Sequence, residues 1–267
     1  MKRLPAVAGQ FYDANAVRLK NQVGQYIIKN TEREKAIAIL SPHAGLMYSG
    51  PVAGAVYSAI RFPKTFILLG PNHTGLGPPL SIMSSGEWEI PSATFEVDEE
   101  LGSRIKEKVP LIVEDTQAHR YEHSLEVQLP FIAYFSDECR ILPISIMRAS
   151  LEECAAAGKG IAEAVREAQY DVVIVASSDM SHYEPDAVAR KLDNLAMKEV
   201  LDLNPEGLYS IVLRERISMC GFIPATVMLY AALGLGAGGA RLIKYSTSGE
   251  VSGDFDRVVG YAGIIIK

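Results

Sequence analysis

Three runs of almost unbroken apolar residues constrain this chain more than any other feature. They are Ala36-Ile37-Ala38-Ile39-Leu40, Thr65-Phe66-Ile67-Leu68-Leu69 and Val172-Val173-Ile174-Val175-Ala176. None alternates apolar with polar residues, so each reads as a strand buried on both faces. A turn holding an imidazole follows each run: Ser41-Pro42-His43-Ala44-Gly45, Gly70-Pro71-Asn72-His73-Thr74-Gly75 and Ser177-Ser178-Asp179-Met180-Ser181-His182. Segments of helical period lie between them. Buried strands alternating with helices predict an α/β fold, with a mainly parallel central sheet covered by helices on both faces.

The rest of the chain fits that plan. An amphipathic helix is expected over Asp13–Lys29, capped by Asp13. Helices are also expected over Pro51–Ile60, Asp98–Lys108, Ser124–Phe135, Ser150–Gln169, Pro185–Leu203, Pro205–Arg214 and Pro224–Leu233. Strands are expected over Lys35–Leu40, Thr65–Leu69, Leu111–Val113, Arg140–Met147 and Val172–Ser177, with short ones around Gly86 inside Leu80–Pro91. Arg241–Thr247 and Arg257–Ile266 read as a terminal strand pair. The glycine cluster Gly234–Gly239 reads as a helix stop followed by a turn. No linker, low-complexity segment or repeat interrupts this order, so residues 1–267 read as a single domain.

Composition excludes several function classes. The net charge is −6 and lysines and arginines are scattered, so the basic patch that nucleic-acid binding leans on is missing. No apolar run reaches the roughly 18 residues that span a bilayer, and no long apolar stretch follows the basic residues Lys2 and Arg3. The longest apolar stretch, Gly221 to Leu235, reads as a buried helix. Three cysteines, an odd number without framework spacing, predict a reducing compartment, here the cytoplasm. Zinc-finger spacing, G-x-G-x-x-G, Walker A and G-x-S-x-G motifs are all absent.

What remains is an unusual placement of histidines. All five, His43, His73, His119, His123 and His182, fall in or beside loops. The carboxyl ends of strands form the ligand crevice of an open α/β sheet, and imidazoles delivered there make a candidate metal site. Asp179 and His182 are spaced so that a turn lets the carboxylate orient the ring, as in general acid–base pairs and metal sites. The plainer alternative makes Asp179 a helix cap and His182 a surface residue. Glu122 and His123 precede a helix, where the dipole favours anions. Ser124 as a cap with Glu122 and His123 in a first helical turn is the plainer alternative there. Cys220, beside Gly221 and ahead of a helix, reads either as a small buried apolar residue or as a thiol whose pKa the helix N-terminus lowers.

Seven segments, taken in order, resemble the Memo family, whose fold is similar to class III extradiol dioxygenases. They are Ala8-Gly9-Gln10-Phe11-Tyr12, Pro42-His43-Ala44-Gly45, Gly70-Pro71-Asn72-His73, Glu122-His123-Ser124-Leu125-Glu126, Ser177-Ser178-Asp179-Met180-Ser181-His182, Cys220-Gly221 and Val258-Val259-Gly260-Tyr261-Ala262-Gly263. The resemblance implies a single α/β/α sandwich with one pocket at the strand ends. It implies metal ligands at His43, His73 and Cys220, with Asp179, His182 and His123 as the chemical residues of the pocket. Iron is the leading metal it implies, with copper or zinc as alternatives. It also implies work alongside a radical SAM protein and a third protein from a shared gene neighbourhood, and a small molecule or peptide in the pocket. The ring-cleaving enzymes use two histidines and a carboxylate, so a thiolate at Cys220 shifts the metal preference and sets the reaction apart. The expected activity is a metal-dependent oxidoreductase of dioxygenase type. A non-catalytic metal-binding or peptide- or anion-binding adaptor and a zinc hydrolase are the alternatives. His119 is expected to lie outside the metal shell.

Overall fold

The computed structural model describes residues 1–267. The first part of the chain holds β1 (Lys2–Arg3), α1 (Ala16–Gly24), β2 (Ala38–Ser41), α2 (Leu46–Ala59), β3 (Thr65–Pro71) and β4 (Leu80–Ile82). It continues with β5 (Glu87–Ile90), β6 (Ala93–Glu96), α3 (Glu99–Lys108), β7 (Val113–Glu114) and α4 (Gln117–Arg120). A 3-10 turn (Glu126–Gln128) and α5 (Leu129–Phe135) lead to β8 (Arg140–Ile146), α6 (Leu151–Glu167), β9 (Val172–Ser177) and β10 (His182–Glu184). The chain ends with α7 (Asp186–Leu201), α8 (Pro205–Arg214), α9 (Phe222–Gly234), β11 (Ala240–Thr247), α10 (Gly249–Ser252) and β12 (Val258–Ile266).

The apolar runs are the centre of the sheet. β2, β9, β3 and β8 lie side by side in that order and run parallel. Every residue of β2 and β3 is buried, as strands covered on both faces require. β12 flanks β2 in the antiparallel sense and carries β11 as its hairpin partner, so the expected terminal pair forms. On the other side β4 runs antiparallel to β8, with β7 beyond it. α2 packs on β11 and β12, α9 on β9 and β3, and α6 on α9. The molecule is a mixed α/β single domain with a large, mostly parallel sheet between helices. β1, β5 and β6 make a small separate sheet.

The strand order positions the site. β9 enters late in the sequence but inserts between β2 and β3. Ser41, Ser177 and Pro71 therefore end neighbouring parallel strands, and their turns open on one crevice.

Several boundaries differ from the expected ones. The N-cap of α1 is Asn15, whose side chain accepts from the Val17 and Arg18 amides, while Asp13 accepts from the Asn15 amide and pairs with Arg18. The helix stops at Gly24, short of Lys29. The segment Ser124–Phe135 is not one helix. Regular α-helix begins at Leu129, with Pro130 in its first turn, where a missing N–H costs nothing. α2 begins at Leu46 and runs through Pro51. The apolar stretch ending at Leu235 is the largely buried helix α9, and no helix is long and apolar enough to cross a membrane.

Candidate metal centre

His43 sits in the turn after β2 with its ring buried. Asp179, in the turn after β9, shapes that turn. Its Oδ1 accepts the backbone N–H of His43 at 2.8 Å and of Ala44 at 3.2 Å. His43 Nδ1 lies 2.8 Å from Ser177 Oγ, so the ring is braced from behind. Its Nε2 faces Cys220 Sγ at 3.2 Å.

His73 is braced by a charge. Glu122 Oε2 accepts its backbone N–H at 2.5 Å, and Oε1 lies 2.9 Å from its Nδ1. Glu122 is fully buried and also accepts the Ser124 amide at 2.9 Å. Burial works to raise this carboxyl, but His73, the Ser124 N–H and His123 outweigh it and hold the pKa at about 2. An ionised carboxylate only accepts, so His73 Nδ1 carries a proton directed at Glu122.

His123 completes the cluster. Its ring stacks on His73 with centroids 4.6 Å apart, and Phe11 packs against it at 4.7 Å. One ligand atom from each of His43, His73 and His123 lies within 4.8 Å of the others. Burial first, and the neighbouring imidazoles next, push His43 well below the usual histidine range, and burial also lowers His123. Both rings are therefore neutral near pH 7, the form that binds a metal. The bracing of His123 is looser, because its Nδ1 lies 3.5 Å from Glu122 Oε1.

Cys220 reaches this cluster because of the residue after it. A Cβ at Gly221 would lie 2.3 Å from the Ser177 carbonyl oxygen, so only glycine lets the start of α9 approach the end of β9 so closely. The thiol accepts the Asp179 amide at 3.3 Å. Its position just before the N-cap of α9 does not lower its pKa. Burial, then the nearby Asp179 carboxyl, push it up, because losing water costs the thiolate more than the helix end returns.

The structure brings His43, His73, His123, Cys220 and Asp179 together. His182 stands at the margin. Its Nδ1 is 2.8 Å from the Ser218 carbonyl and its amide donates to Ser218 Oγ, so Ser218 orients this ring and Asp179 holds the His43 turn instead. His119 is buried elsewhere, edge-on to Trp88 at 5.7 Å and with no partner for either ring nitrogen. A surface hollow of about 430 Å³ is lined by Phe11, Gly45 and Tyr48. Phe11, which packs against His123, is its link to the cluster, none of whose own side chains lines it.

Four further residues build the site without having been singled out as site residues in the sequence, although Ser177 and Glu126 lie within the family-like segments. Ser177 and Gln128 brace His43, and Arg3 and Glu126 hold the N-terminal segment in place. Glu126 pairs with Arg3 and accepts from Tyr12 Oη and from the Ala6 and Val7 amides. Their one visible signal is polarity inside apolar surroundings, as in Glu126-Val127-Gln128-Leu129, which are all buried.

The donor set fits a transition metal. Imidazole nitrogens and a thiol suit zinc, copper or iron better than magnesium or calcium. Nitrogen and sulfur bound to one tetrahedral ion are about 3.5 Å apart, given bonds of about 2.0 and 2.3 Å. The observed separation of 3.2 Å between His43 Nε2 and Cys220 Sγ is close to that.

Fold and site together define a class: an α/β protein with an imidazole-rich candidate metal centre at the ends of its parallel strands. Residues 3–265 match the family described as Memo-like protein. A MEMO1 family protein of Methanosarcina barkeri is 43% identical, over 99% of this chain and 100% of the relative. Another from Aquifex aeolicus is 43% identical over 98% of each chain, and one from Pyrobaculum aerophilum is 40% identical over 98% of each. This chain belongs to the Memo family. The crystal structure of an uncharacterized protein from Escherichia coli K12 is similar with a TM-score of 0.61 at 12% identity, covering 86% of this chain and 100% of that one. That likeness shows a common fold.

Proposed function

We propose that this protein binds a redox-active transition metal, iron first and copper as the alternative, and uses it with dioxygen to oxidise a small molecule in the crevice at the strand ends. Zinc, which has no redox chemistry, would serve only the hydrolytic alternative. His43, His73 and Cys220 are the ligands. The observation that carries this reading is the pair of braced rings. His43 and His73 are each held at Nδ1, at 2.8 and 2.9 Å, His43 Nε2 faces Cys220, and the ligand atoms of His43, His73 and His123 lie within 4.8 Å of one another. Metal-binding histidines nearly always have such a partner on the other nitrogen. His123, held only at 3.5 Å, is the poorer ligand and the better candidate for stabilising developing negative charge. His182 moves protons at the margin, and Asp179 fixes the turn that carries His43. A bound metal would supply Lewis-acid or electron-transfer chemistry at the imidazole cluster.

A non-catalytic reading, a metal-binding adaptor, is favoured by one observation. Cys220 in place of a carboxylate puts an oxidisable sulfur beside the centre. The partners proposed for either reading are a radical SAM protein and a third protein from a shared gene neighbourhood. All three cysteines are free thiols, in keeping with a reducing compartment such as the cytoplasm.

Elemental analysis of protein purified without added metal is the first test, followed by titration of His43→Ala, Cys220→Ser and His123→Ala. The expected result is near-stoichiometric metal in wild type, at least tenfold weaker binding in the first two variants, and retained binding in the third. Loss in His123→Ala with retention in Cys220→Ser would replace this ligand set by one of three imidazoles. Oxygen uptake with catechols after anaerobic iron loading then separates enzyme from adaptor.

A further inference from the structure

The Ser177 hydroxyl has one proton and two lone pairs, and three neighbours compete for them. The Ser124 carbonyl oxygen, 2.7 Å away, can only accept, so it takes the hydroxyl proton. The Gln128 amide is also fixed in sense. Its Nε2 lies 2.9 Å from the Pro42 carbonyl, which can only accept, while Oε1 faces the Tyr57 hydroxyl at 3.0 Å. The second proton on Gln128 Nε2 points to Ser177 Oγ at 2.9 Å and occupies one of its lone pairs. One lone pair is left, and His43 Nδ1 lies 2.8 Å from it. The ring nitrogen must therefore be the donor.

The geometry points to Ser177 as a positioning residue that sets the tautomer of His43, keeping the proton on Nδ1 and the bare Nε2 lone pair facing Cys220. The opposite tautomer would need the hydroxyl to donate to His43, which would strip the buried Ser124 carbonyl of its partner. A lost hydrogen bond to a buried carbonyl disfavours that arrangement roughly tenfold or more. His43 and His73 thus each keep a proton on Nδ1 by unlike means, a hydroxyl committed to the Ser124 carbonyl and the Gln128 amide in one case and a buried carboxylate in the other. The tautomer itself does not depend on a metal. Its consequence for metal affinity rests on the function proposed above.

The test uses full-length, metal-free protein labelled with 15N-histidine, read by multiple-bond proton–nitrogen correlation spectra at mildly alkaline pH. His43→Gln identifies the His43 signals. The expected wild-type pattern is a protonated Nδ1 and a bare Nε2 at His43. Ser177→Ala should shift the population toward protonated Nε2, and Ser177→Thr, which keeps the hydroxyl, should restore it. An Nε2–H tautomer in wild type, or an unchanged one in Ser177→Ala, overturns the assignment. If Ser177→Ala does not fold, wild type and Ser177→Thr still decide the matter. Zinc affinity, measured by competition with a chelator, should fall about 10–100-fold in Ser177→Ala and recover in Ser177→Thr. A shifted tautomer with unchanged zinc affinity overturns the positioning role. If zinc binds to neither wild type nor variant, the metal centre is wrong while the tautomer result stands.

Discussion

His119 and His43 show that a buried imidazole is not by itself a site. Both rings are buried and both are pushed down by that burial. His43 has a hydroxyl behind it and a thiol in front, whereas neither nitrogen of His119 has a partner. In the sequence the five histidines look alike, since all lie near loops. Their surroundings separate them, and those are made by residues far away in the chain. His119 instead marks a pH liability. Its pKa is about 4 in the folded protein against 6.5 as the ordinary value, so the unfolded chain takes up the proton first. Stability is full above about pH 6.5 and falls as the pH drops through 4, by about 3 kcal/mol from this residue. His119→Phe should flatten that part of the curve in urea denaturation at stepped pH, and should leave metal binding unchanged. An acid slope identical to that of wild type would show that His119 does not carry this cost.

At the scale of elements, the strands were the legible part. The apolar runs gave β2, β3 and β9, and their turns gave the three histidines and Asp179. The stacking of His123 on His73, and the joining of Cys220 to His43, depend on strand order and on the approach of α9, which no local pattern encodes. The small elements β1 and β6 were also illegible, because Lys2-Arg3 is only two residues long and Ala93–Glu96, although it alternates apolar and polar residues, is only four. Yet β1 matters. Arg3 is 5% exposed and its guanidinium pairs with fully buried Glu126, stacks over Trp88 and bonds the Glu122 carbonyl at 2.6 Å. This ion pair ties the chain start to the loop that carries Glu122 and His123, and sets Phe11 against His123. Glu126→Gln leaves a buried guanidinium without its counter-charge and should cost about 3–5 kcal/mol. The double variant Arg3→Met/Glu126→Gln removes both charges but keeps a side-chain acceptor for Tyr12 and the Ala6 and Val7 amides, and should cost less than Glu126→Gln alone. Chemical denaturation of the set checks this, and a double variant less stable than Glu126→Gln would refute the argument.

For the whole molecule, the site is where chain segments remote in sequence are forced together. His43 and Cys220 are 177 residues apart, and Ser177 and His43 are 134 apart, yet each pair is in contact. The unfolded chain has no means of presenting these donors to one ion, so a metal held here binds the folded state alone. Such binding stabilises the fold by RT ln(1 + [M]/Kd), about 2.7 kcal/mol at a hundredfold excess over Kd. A domain of this size moves its Tm by about 2–4 °C per kcal/mol, so loading should raise the Tm by about 5–10 °C, and a chelator should reverse it. His43→Ala and Cys220→Ser should abolish most of the increase. His182→Ala should retain it, because that ring is held by Ser218 at the margin of the cluster. A full increase in His43→Ala would place the ion elsewhere. Its loss in His182→Ala would mean that the third strand-end imidazole is a ligand, and that the turn after β9 grips the ion directly rather than only shaping the turn around His43.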